Sequence, residues 1–595
     1  MRVMIVAVLF VFSIFGAQLL RVQGFDAAST AASALSERTQ TEEIPALRGR
    51  ILDVNGKVLA ASLERRQVVA DQTAVPEYQK TVGGVRTKVG VPGAVADLAP
   101  LLDLSPDTLA PMLTGKARYR ILAKNVTPLT WRKISELGIP GIYSERTTST
   151  RSYPQPMDAA SLVGFMQASG APGGGLEVML DTTLKGKAGH EAVETAPNGR
   201  VIPSGRQEVT PAIPGHDVKL SINSDLQWYA QNALAQKVIE TQALSGSVVV
   251  QSVKTGKLLA VASYPTFDSN NAARAAGRLT NLAFNDVYEP GSTAKVMTAA
   301  AALQEGVVTP ATPVVVPNTI HRSDRTFHDS HDHPTEYLTF SGVLAQSSNI
   351  GTMLAGERVR PQRLESYFRK FGVGSASGMG FPGESAGLFA PYAKWSGSQR
   401  YTVMFGQGLS VTAIQAAGVY QTIANNGVRI PPRIVDSVAD DQGIFQPAQQ
   451  AAGVRVVSPA VAQELRRMLE GVVSSEGTAP QAKVAGYRIA GKTGTADRYD
   501  ARVGGYSGKT ASFIGFAPAD DPEIVVAVTL QRPVKGYYGG IVAAPVFRDV
   551  MTYALQALQI PPTSGKPTKV TLKLDSAPAA SDPKVIRDRH GGQGG

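Results

Sequence analysis

The chain has 595 residues, of which 43% are hydrophobic and none is cysteine, with a formal net charge of +11. This length allows two or three domains with sizeable cores, and the lack of cysteine excludes disulfides and thiolate metal sites. The cations are spread along the chain rather than gathered in runs, so the charge suits an anionic cell wall or lipid surface better than nucleic acid.

Residues 1–21 predict a membrane anchor. Residues 3–20 are almost continuously apolar and lie between Arg2 and Arg21, which is just long enough to cross a bilayer core at about 1.5 Å per residue. A cleaved signal peptide is the alternative, because residues 32–34 (Ala-Ser-Ala) resemble a cleavage site. The apolar stretch is longer than a usual signal core, and the triplet lies far beyond its end. We therefore expect an uncleaved helix with a cytoplasmic N-terminus and an extracytoplasmic remainder.

Residues 22–215 predict a separate, mainly β-rich domain. Residues 48–60 read Arg-Gly-Arg-Ile-Leu-Asp-Val-Asn-Gly-Lys-Val-Leu-Ala, which predicts two short strands around an Asn-Gly turn. Three short motifs follow, namely Arg-Ser-Tyr-Pro at 151–154, Gly-Leu-Glu at 175–177 and Leu-Lys-Gly at 184–186. A plain surface carboxylate is an alternative interpretation of Glu177, and we assign it no catalysis. Residues 189–215, rich in Pro, Gly and Thr, predict strands and turns that lead to a domain boundary.

The pattern changes at His216 and predicts an α+β domain over residues 216–560. Residues 225–240 predict a helix, and residues 246–251 and 257–262 predict a hairpin around a Thr-Gly turn. A helical middle follows, and residues 510–516 and 523–530 predict two strands of an antiparallel meander. Residues 561–595 are rich in Pro, Ser, Lys and Asp and end in Gly-Gly-Gln-Gly-Gly, which predicts a disordered tail.

The first of three ordered motifs in this domain is Ser-Thr-Ala-Lys at 292–295. It follows Glu-Pro-Gly and precedes an alanine-rich run, so Ser292 is predicted in the first turn of a helix, where free N–H groups favour negative charge. Ser292 and Lys295 are three residues apart and share a helix face. A desolvated lysine with a lowered pKa can take the proton of a serine nucleophile. Alone, the motif is better explained by a solvated helix start.

The other two motifs are Ser-Ser-Asn at 347–349 and Lys-Thr-Gly-Thr at 492–495. The first is a common loop tripeptide and indicates nothing alone. Residues 486–493 also fit the nucleotide-binding pattern G-x-x-x-x-G-K-[ST]. That pattern needs a glycine-rich loop followed by a helix, whereas residues 487–490 favour a strand and residues 494–500 start no helix. We therefore interpret this match as a coincidence.

The three motifs in this order resemble the signature of penicillin-binding proteins and serine β-lactamases. The motifs of residues 48–60, 151–154, 175–177 and 184–186 resemble the N-terminal pedestal, or dimerisation-like domain, of class B penicillin-binding proteins. Residues 406–412 and 475–478 are further landmarks of the same kind. The resemblance covers residues 44 to 560 and implies a penicillin-binding transpeptidase domain with a five-stranded antiparallel sheet flanked by helices.

The resemblance also implies roles for eight residues. Ser292 would attack the D-Ala-D-Ala bond of a peptidoglycan stem peptide, and Lys295 would take its proton. Ser347 would relay a proton to the departing amine, while Asn349 would bind the substrate amide and the lysine. The Lys492-Thr493-Gly494-Thr495 strand would form one wall of the cleft and hold the substrate carboxylate. The N–H groups of Ser292 and Thr495 would form the oxyanion hole.

Neither a metal nor another cofactor is expected. The loop His-Asp-Ser-His-Asp-His at 328–333, with Asp324 nearby, could hold a metal through its N and O donors. The alternative is a polar loop beside the cleft, which we prefer because transpeptidases of the resembled family need no metal.

Rival functions share the motifs but differ in the acceptor or in turnover. A serine β-lactamase or D,D-carboxypeptidase would send water to the acyl-enzyme, yet the sequence has no Glu-x-x-Leu-Asn for a class A deacylating glutamate. A non-catalytic β-lactam sensor would need several membrane spans and a cytoplasmic output domain, and a divisome scaffold would bind without turnover. A bifunctional polymerase is disfavoured because residues 22–215 hold no recognisable glycosyltransferase motif.

The partners follow from the same resemblance. Stem peptides are the expected substrate and β-lactams the expected inhibitors. A class B enzyme would work with a membrane glycosyltransferase of the SEDS family and with other divisome proteins. Residues 316–322 and 332–335 and the Arg-Gly opening of the pedestal look most like division-type enzymes of actinobacteria. An elongation role is the alternative.

Overall fold

The structure is a computed structural model that describes residues 1–82, 84–146, 150–194, 207–275, 279–563, 570–579 and 581–588. The chain divides into two compact units. The first unit consists of residues 1–49, 62–150 and 182–216, and the second of residues 50–61, 151–181 and 217–595.

The helices are, in chain order, α1 (Arg2–Leu20), α2 (Ala27–Arg38), α3 (Gly90–Leu102), α4 (Pro106–Leu113), α5 (Pro128–Glu136), α6 (Ala160–Val163), α7 (Gly175–Met179), α8 (Asp181–Leu184), α9 (Ser224–Thr241), α10 (Leu282–Asn285), α11 (Lys295–Gln304), α12 (Phe340–Ala345), α13 (Asn349–Gly356), α14 (Pro361–Lys370), α15 (Gln399–Thr402), α16 (Ala413–Ala424), α17 (Pro459–Val473) and α18 (Gly539–Ala557).

The strands are, in chain order, β1 (Thr39–Ile44), β2 (Ile51–Leu52), β3 (Val58–Leu63), β4 (Arg66–Ala70), β5 (Gln79–Val82), β6 (Val85–Lys88), β7 (Arg120–Val126), β8 (Ile142–Arg146), β9 (Thr150–Ser152), β10 (Gly189–Glu194), β11 (Gln207–Thr210), β12 (Val218–Leu220), β13 (Ser245–Ser252), β14 (Leu258–Tyr264), β15 (Pro313–Val316), β16 (Thr319–Arg322), β17 (Arg325–His328), β18 (Glu336–Thr339), β19 (Val428–Arg429), β20 (Val435–Ala439), β21 (Phe445–Pro447), β22 (Val454–Arg455), β23 (Ala490–Asp500), β24 (Gly505–Ala517) and β25 (Ile524–Gln531).

The first unit begins with the apolar helix α1, which continues as a π-helical turn to Phe25. The apolar span covers Arg2–Gly24, and none of it is buried against the rest of the protein. A helix of this length with apolar residues on every side is consistent with a membrane anchor.

The rest of the first unit, where the structure describes it, contains the small antiparallel sheets β7-β4-β8 and β1-β10-β11 and the antiparallel pair β5-β6. Helices α4 and α5 start where Ser105 and Thr127 accept a hydrogen bond from the backbone three residues ahead, each before a proline at the first helical position. With α3 they cover a core centred on Val68, Leu98, Leu109, Leu113 and Ile134.

The second unit is built around a five-stranded antiparallel sheet of order β14-β13-β25-β24-β23. All eight residues of β25 are buried, so both faces of the sheet are covered. Helices α9 and α18 pack on each other and on the sheet, and α16 packs on β13, β24 and β25. This confirms the predicted α+β class and the five-stranded sheet, and it leaves β23 at one edge.

Two segments of the predicted pedestal belong to the second unit. Strand β2 pairs in parallel with β12, and Arg50 forms an ion pair of 2.6 Å with Asp217. Arg151 and Glu177 form a buried ion pair of 2.7 Å. The interpretation of Glu177 as a surface carboxylate is therefore wrong. Residues 50–61 and 151–181 therefore belong to the second unit. The sequence had placed them in the N-terminal domain, which was predicted to end at residue 215.

The described part of the C-terminal tail is ordered against the second unit. Leu572 O accepts from Thr339 N (3.0 Å), and Leu574 N donates to Tyr337 O (2.9 Å), so this segment runs along β18. Ile586 exchanges two backbone hydrogen bonds of 2.9 Å with Pro313 and Val315 of β15. The expected disorder is wrong for residues 570–579 and 581–588, which we call the C-terminal strap. The remaining tail residues after 563 lie outside the described part of the chain.

The strap is held by side chains as well as by backbone. Leu572, Val585 and Ile586 are at most 6% exposed. Asp588 forms an ion pair of 2.9 Å with Arg322, whose guanidinium also pairs with Glu357 at 2.6 Å. The polar composition of the tail did not predict this order. Three buried apolar side chains, together with backbone pairing to strand edges, hold the segment in place.

Candidate active site

Ser292 lies in a short 3-10 turn, Gly291–Ala294, that leads directly into α11. Gly291 has a φ of 52°, and its N–H donates to Gly406 O at 3.0 Å. The two backbones are so close that a Cβ on Gly406 would lie 2.1 Å from Gly291 O. Glycine at 406 thus lets the segment after α15 fix the turn that presents Ser292.

Lys295 is fully buried one turn further along. Its Nζ donates to the backbone oxygen of Ser347 at 2.5 Å and reaches Ser347 Oγ at 3.3 Å. Burial lowers the pKa of Lys295 from 10.5 to about 7, with the negative charge of Asp329 opposing the shift. At pH 7 about half of an amine with this pKa is neutral and can accept a proton.

Ser347 occupies the left-handed region, with a φ of 65°, in the junction between α12 and α13. A non-glycine residue there is held by its surroundings. Ser348 caps α13 by accepting from Gly351 N at 2.8 Å. The Asn349 Nδ2 group donates to His328 O at 3.1 Å. The junction is thus fixed from both helices and from the loop before β18.

Asp329 is the buried carboxylate behind this junction. Its Oδ1 accepts from the backbone N–H groups of Asn349 (2.5 Å) and Ile350 (3.0 Å), and its Oδ2 lies 3.3 Å from His333 Nε2. A negative charge at the N-terminus of α13 is stabilised by the helix dipole. The sequence offered Asp329 only as a metal ligand, and its contacts here are with the Ser-Ser-Asn motif.

The third motif lies on the edge strand β23. Lys492 is fully buried, and its Nζ lies 3.2 Å from Thr493 Oγ1. Burial lowers the pKa of Lys492 well below its usual value, and the charge of Lys295 lowers it further. Thr493 Oγ1 lies 2.9 Å from Thr478 Oγ1, and Thr495 Oγ1 accepts from Gly539 N at 3.1 Å.

Gly494 permits close contact between β23 and the turn that carries Ser292. A Cβ at this position would lie 2.3 Å from Ser512 Oγ and 3.0 Å from both Pro290 O and Thr293 Cγ2. Contacts this short are not tolerated. The motif therefore needs glycine for packing.

These elements enclose a cavity of about 360 Å³. Five of the predicted site residues line it, namely Ser292, Ser347, Asn349, Thr493 and Thr495. Lys295 and Lys492 are buried behind its walls, and Gly494 packs against residues 290 and 293. The structure thus brings all eight predicted residues to one place.

Ser330 and His331 also line the cavity, as expected of a polar loop beside the cleft, and Gln407 belongs to the landmark at 406–412. Sequence reasoning missed other lining residues, namely Gln346, Phe405, Tyr538 and Ile541. Phe405 and Gln407 flank Gly406, and Tyr538 and Ile541 lie at the start of α18. Tyr538 and Ile541 are 48% and 55% exposed. Large exposed apolar groups beside a cavity are a signal of ligand contact, but exposure cannot be read from the sequence.

The two alternative interpretations can be compared with this geometry. Lys492 lies inside the eleven-residue strand β23, and no helix starts at this point, which contradicts a nucleotide-binding loop. Among the residues that the structure describes, which include 324–333, no group of His, Asp and Glu has the arrangement of a metal site.

Comparison with protein families places two domains on the chain. The profile described as penicillin-binding protein transpeptidase domain matches residues 246–552. The profile described as penicillin-binding protein dimerisation domain matches residues 43–172.

Individual relatives agree with the profiles. Penicillin-binding protein PbpB of Mycolicibacterium smegmatis is 36% identical over 94% of this chain and 91% of its own length. Peptidoglycan D,D-transpeptidase FtsI of Escherichia coli is 33% identical over 88% of this chain and 86% of its own. The crystal structure of penicillin-binding protein 3 of Mycobacterium tuberculosis with aztreonam is 31% identical and matches with a TM-score of 0.69. That match covers 90% of this chain and all of the other.

Proposed function

We propose that this chain, which belongs to the class B penicillin-binding proteins, is a peptidoglycan D,D-transpeptidase that forms an acyl-enzyme at Ser292. One observation carries the proposal. Ser292, the Ser347 hydroxyl that contacts the buried amine of Lys295, and the edge strand β23 meet at a single cavity. This arrangement joins a nucleophile, a base and a strand edge on which a peptide can lie.

In the first step Ser292 Oγ attacks the carbonyl carbon between the last two D-alanines of a donor stem peptide. The serine proton passes to neutral Lys295 as the C–O bond forms. Ser347, which contacts both the cavity and the Lys295 amine, relays that proton to the nitrogen of the breaking C–N bond. Terminal D-alanine leaves as the free amine, and the donor remains as an ester on Ser292.

The opposite wall of the cavity, formed by β23, binds the substrate and stabilises the developing charge. The hydroxyls of Thr493 and Thr495, with the buried amine of Lys492 behind them, hold the terminal carboxylate. The N–H groups of Ser292 and Thr495 point at the developing oxyanion. Loss of one such donor typically costs 10²–10³ in rate.

In the second step an amine of a neighbouring stem peptide attacks the ester carbonyl, and Lys295 accepts the proton of that amine. The C–O bond to Ser292 then breaks, Lys295 returns the proton to Ser292 Oγ, and the new amide is the cross-link. β-Lactams acylate the same serine, because their amide imitates the D-Ala-D-Ala bond and their leaving group stays attached. Solved relatives are described in complex with aztreonam and with ampicillin, which supports this part of the proposal.

The place of action follows from the apolar helix α1 and from the relatives. We place α1 in the cytoplasmic membrane with the N-terminus inside and both units outside. The division-type sequence features, together with the relatives PbpB and FtsI, support work at the septum. A class B enzyme carries no polymerase of its own, so a membrane glycosyltransferase of the SEDS family and other divisome proteins are the proposed partners.

The decisive experiment treats the protein after Gly24 with a fluorescent penicillin and follows the intact mass for several hours. We expect one stable adduct per chain in the wild type and none in Ser292→Ala. Ser135→Ala is the matched control, because Ser135 is exposed in α5 and contacts only its own helix.

Three results would contradict the proposal. Rapid loss of the adduct would indicate a β-lactamase. An adduct retained in Ser292→Ala would move the nucleophile elsewhere. No adduct in the wild type would favour a binding scaffold over an enzyme. Release of D-alanine from a synthetic stem peptide, dependent on Ser292, tests the same site with the natural bond.

A further inference from the structure

The loop between β17 and β18 supplies two residues of the active-site cavity that the proposed mechanism does not use. Ser330 and His331 line the cavity, and His331 is otherwise exposed. Ser330 Oγ and His331 Nδ1 are 3.2 Å apart. In the tautomer in which Nδ1–H donates to Ser330, Nε2 carries the free lone pair. Within the described part of the chain, that nitrogen has no hydrogen-bond partner.

The loop is held against the Ser-Ser-Asn motif. His328 O accepts from Asn349 Nδ2 at 3.1 Å, and Asp329 Oδ1 accepts from Asn349 N at 2.5 Å. His331 lies two residues after Asp329, and Ser347 lies two residues before Asn349. Each of these two side chains is therefore at most about 7 Å along the chain from the same contact. The loop thus presents His331 to the part of the cavity that Ser347 lines.

The charged groups around His331 leave its ring without an ionic partner. Asp332 follows it in the chain, and the ring of His333 lies 6.0 Å away between centroids. His333 Nε2 lies 3.3 Å from Asp329, whose other oxygen binds the start of α13. Among the described residues, no carboxylate lies within ion-pair distance of His331. The imidazole therefore faces the cavity with a nitrogen available to a ligand.

The second step of the reaction has one more proton to remove than Lys295 can take. An alkyl amine in water is an ammonium at neutral pH, since the pKa of a lysine side chain is about 10.4. It must lose one proton before it can attack the ester and a second proton as the C–N bond forms. Lys295 takes the second of these and returns it to Ser292. The first needs another proton acceptor at the cavity.

One lining side chain has the chemistry for this task. Among the described residues that line the cavity, His331 and Tyr538 alone are titratable. A phenol is protonated at neutral pH, and the hydrogen bond with Tyr537 raises the pKa of Tyr538 further. Imidazole is the side chain that enzymes use most often as a general base. His331 therefore fits the missing proton acceptor.

The incoming amine passes through the same part of the cavity. By microscopic reversibility, its nitrogen approaches the ester carbonyl along the path by which the nitrogen of D-alanine left. In the proposed first step Ser347 gives a proton to that departing nitrogen, so the path runs beside Ser347. Ser330, His331 and Gln346 line the cavity together with Ser347.

We propose that His331 is a catalytic residue of the second step, which accepts a proton from the alkyl ammonium of the incoming stem peptide. This inference rests on the proposed transpeptidase function. The ammonium gives its first proton to His331 Nε2, and the resulting amine attacks the ester carbonyl and gives its second proton to Lys295. As the C–O bond breaks, Lys295 returns that proton to Ser292 Oγ. His331, which is exposed, releases its own proton to water.

The test offers two acceptors to one acyl-enzyme, which the full chain forms in detergent from the thioester N-benzoyl-D-alanyl-thioglycolate. Nα-acetyl-lysine amide is an ammonium at neutral pH, whereas hydroxylamine is neutral there. The measured quantity is the ratio of the lysine product to the hydroxamate when both acceptors compete in one reaction. We expect His331→Gln to lower this ratio about a hundredfold at neutral pH, because general base catalysis contributes at least about that much.

A higher pH separates proton transfer from simple contact. At about pH 10 nearly half of a lysine side-chain amine is neutral in water, so the ratio in His331→Gln should approach the wild-type value. His331→Glu places another proton acceptor in the cavity and should recover part of the ratio at neutral pH. His321→Gln is the matched control, because His321 is exposed and binds only Thr326 on the neighbouring strand. It should keep the wild-type ratio.

The competition distinguishes the possible failures. A ratio unchanged in His331→Gln would overturn the role of His331, and so would a ratio lowered equally at neutral pH and at the higher pH. A loss of structure lowers both products together and cannot imitate the expected change in their ratio. If the wild type converts the thioester only to the acid, or not at all, the transpeptidase function fails and the role of His331 fails with it. If the wild type forms both products and the variant keeps their ratio, the role of His331 fails alone.

Discussion

At the scale of single residues, the site depends on two lysines that are removed from water. Lys295 and Lys492 are both fully buried, and burial lowers the pKa of each. The charge of Lys295 lowers the pKa of Lys492 further. Desolvation thus converts an ordinary lysine into a base.

The rate of acylation should therefore follow the neutral form of Lys295. Its pKa of about 7 means that the ammonium, which cannot accept the Ser292 proton, prevails below that pH. We expect the second-order rate constant for penicillin to fall about tenfold per pH unit below 7 and to level off above it. Stopped-flow labelling from about pH 5.5 to about pH 9 measures this.

His331 is a basic side chain that also lines the cavity. His331→Gln is thus the control. Its labelling rate constant should fall below the same pH as in the wild type, a part of the profile that we call the acid limb. A flat profile, or a limb that disappears with His331, would contradict the role of Lys295.

Asp329 should determine the pH below which the rate of acylation falls. Its charge raises the pKa of Lys295 against the effect of burial, so removal of the charge in Asp329→Asn should lower the pKa further. We expect the acid limb to move to lower pH. We also expect a loss of rate, because the side chain that accepts from the N–H groups of Asn349 and Ile350 becomes a weaker acceptor. The same pH titration measures both, and a limb at unchanged or higher pH would contradict this.

At the scale of elements, the edge strand β23 packs closely on the Ser292 turn at Gly494. Gly494→Ala would place a methyl group 2.3 Å from Ser512 Oγ and 3.0 Å from Pro290 O. We expect β23 to shift away from Ser292 and acylation to fall by at least about tenfold, since a small displacement of a positioned group is costly in rate. The rate of penicillin labelling measures it.

Gly505→Ala offers a matched control, because a Cβ at Gly505 on the neighbouring strand meets nothing within 4 Å. It should label at the wild-type rate. Equal rates in the two variants would show that the packing of Gly494 does not limit acylation.

A second element-scale constraint is the C-terminal strap. Leu572 is 6% exposed, and its backbone oxygen lies where a Cβ on Gly342 of α12 would be, at 1.9 Å. The Ser-Ser-Asn motif begins two residues after the end of α12. The strap therefore supports the helix that delivers Ser347 to the cavity.

Leu572→Ala should lower the free energy of unfolding of the second unit by about 2–5 kcal/mol, as is usual for truncation of a buried leucine. Acylation should slow as well, because α12 loses its cover. Calorimetry and penicillin labelling measure the two effects. Asp575→Ala, an exposed change in the same strap, should alter neither. If the strap does not stabilise the second unit, Leu572→Ala will have the free energy of unfolding and the labelling rate of the wild type.

At the scale of the whole molecule, the sequence predicted what depends on chemistry and missed what depends on packing. Ser292, Ser347 and Asn349 could be grouped because their motifs, in this order, resemble the signature of a known family. The order of the strap could not be foreseen, since residues 561–595 have the composition of a disordered chain.

The division into units shows the same limit. Residues 50–61 and 151–181 precede the predicted boundary at 215, yet they belong to the second unit. Their assignment depends on distant partners, such as Asp217 for Arg50, or on a pair such as Arg151 and Glu177. Local pattern cannot specify such contacts, whereas it predicted the apolar helix α1, helix α9 and the β13–β14 hairpin closely.

The orientation of the whole molecule in the membrane can be tested with the chain's own composition. The sequence has no cysteine, so a single introduced cysteine reports only its own location. Ser135 is exposed on α5 of the first unit, and Arg2 lies at the start of α1. With α1 spanning the membrane and the N-terminus inside, Ser135→Cys should react with a membrane-impermeant maleimide in intact cells and Arg2→Cys only after lysis. The cysteine-free parent gives the background, and a reversed pattern, or labelling of both variants in intact cells, would contradict the proposed topology.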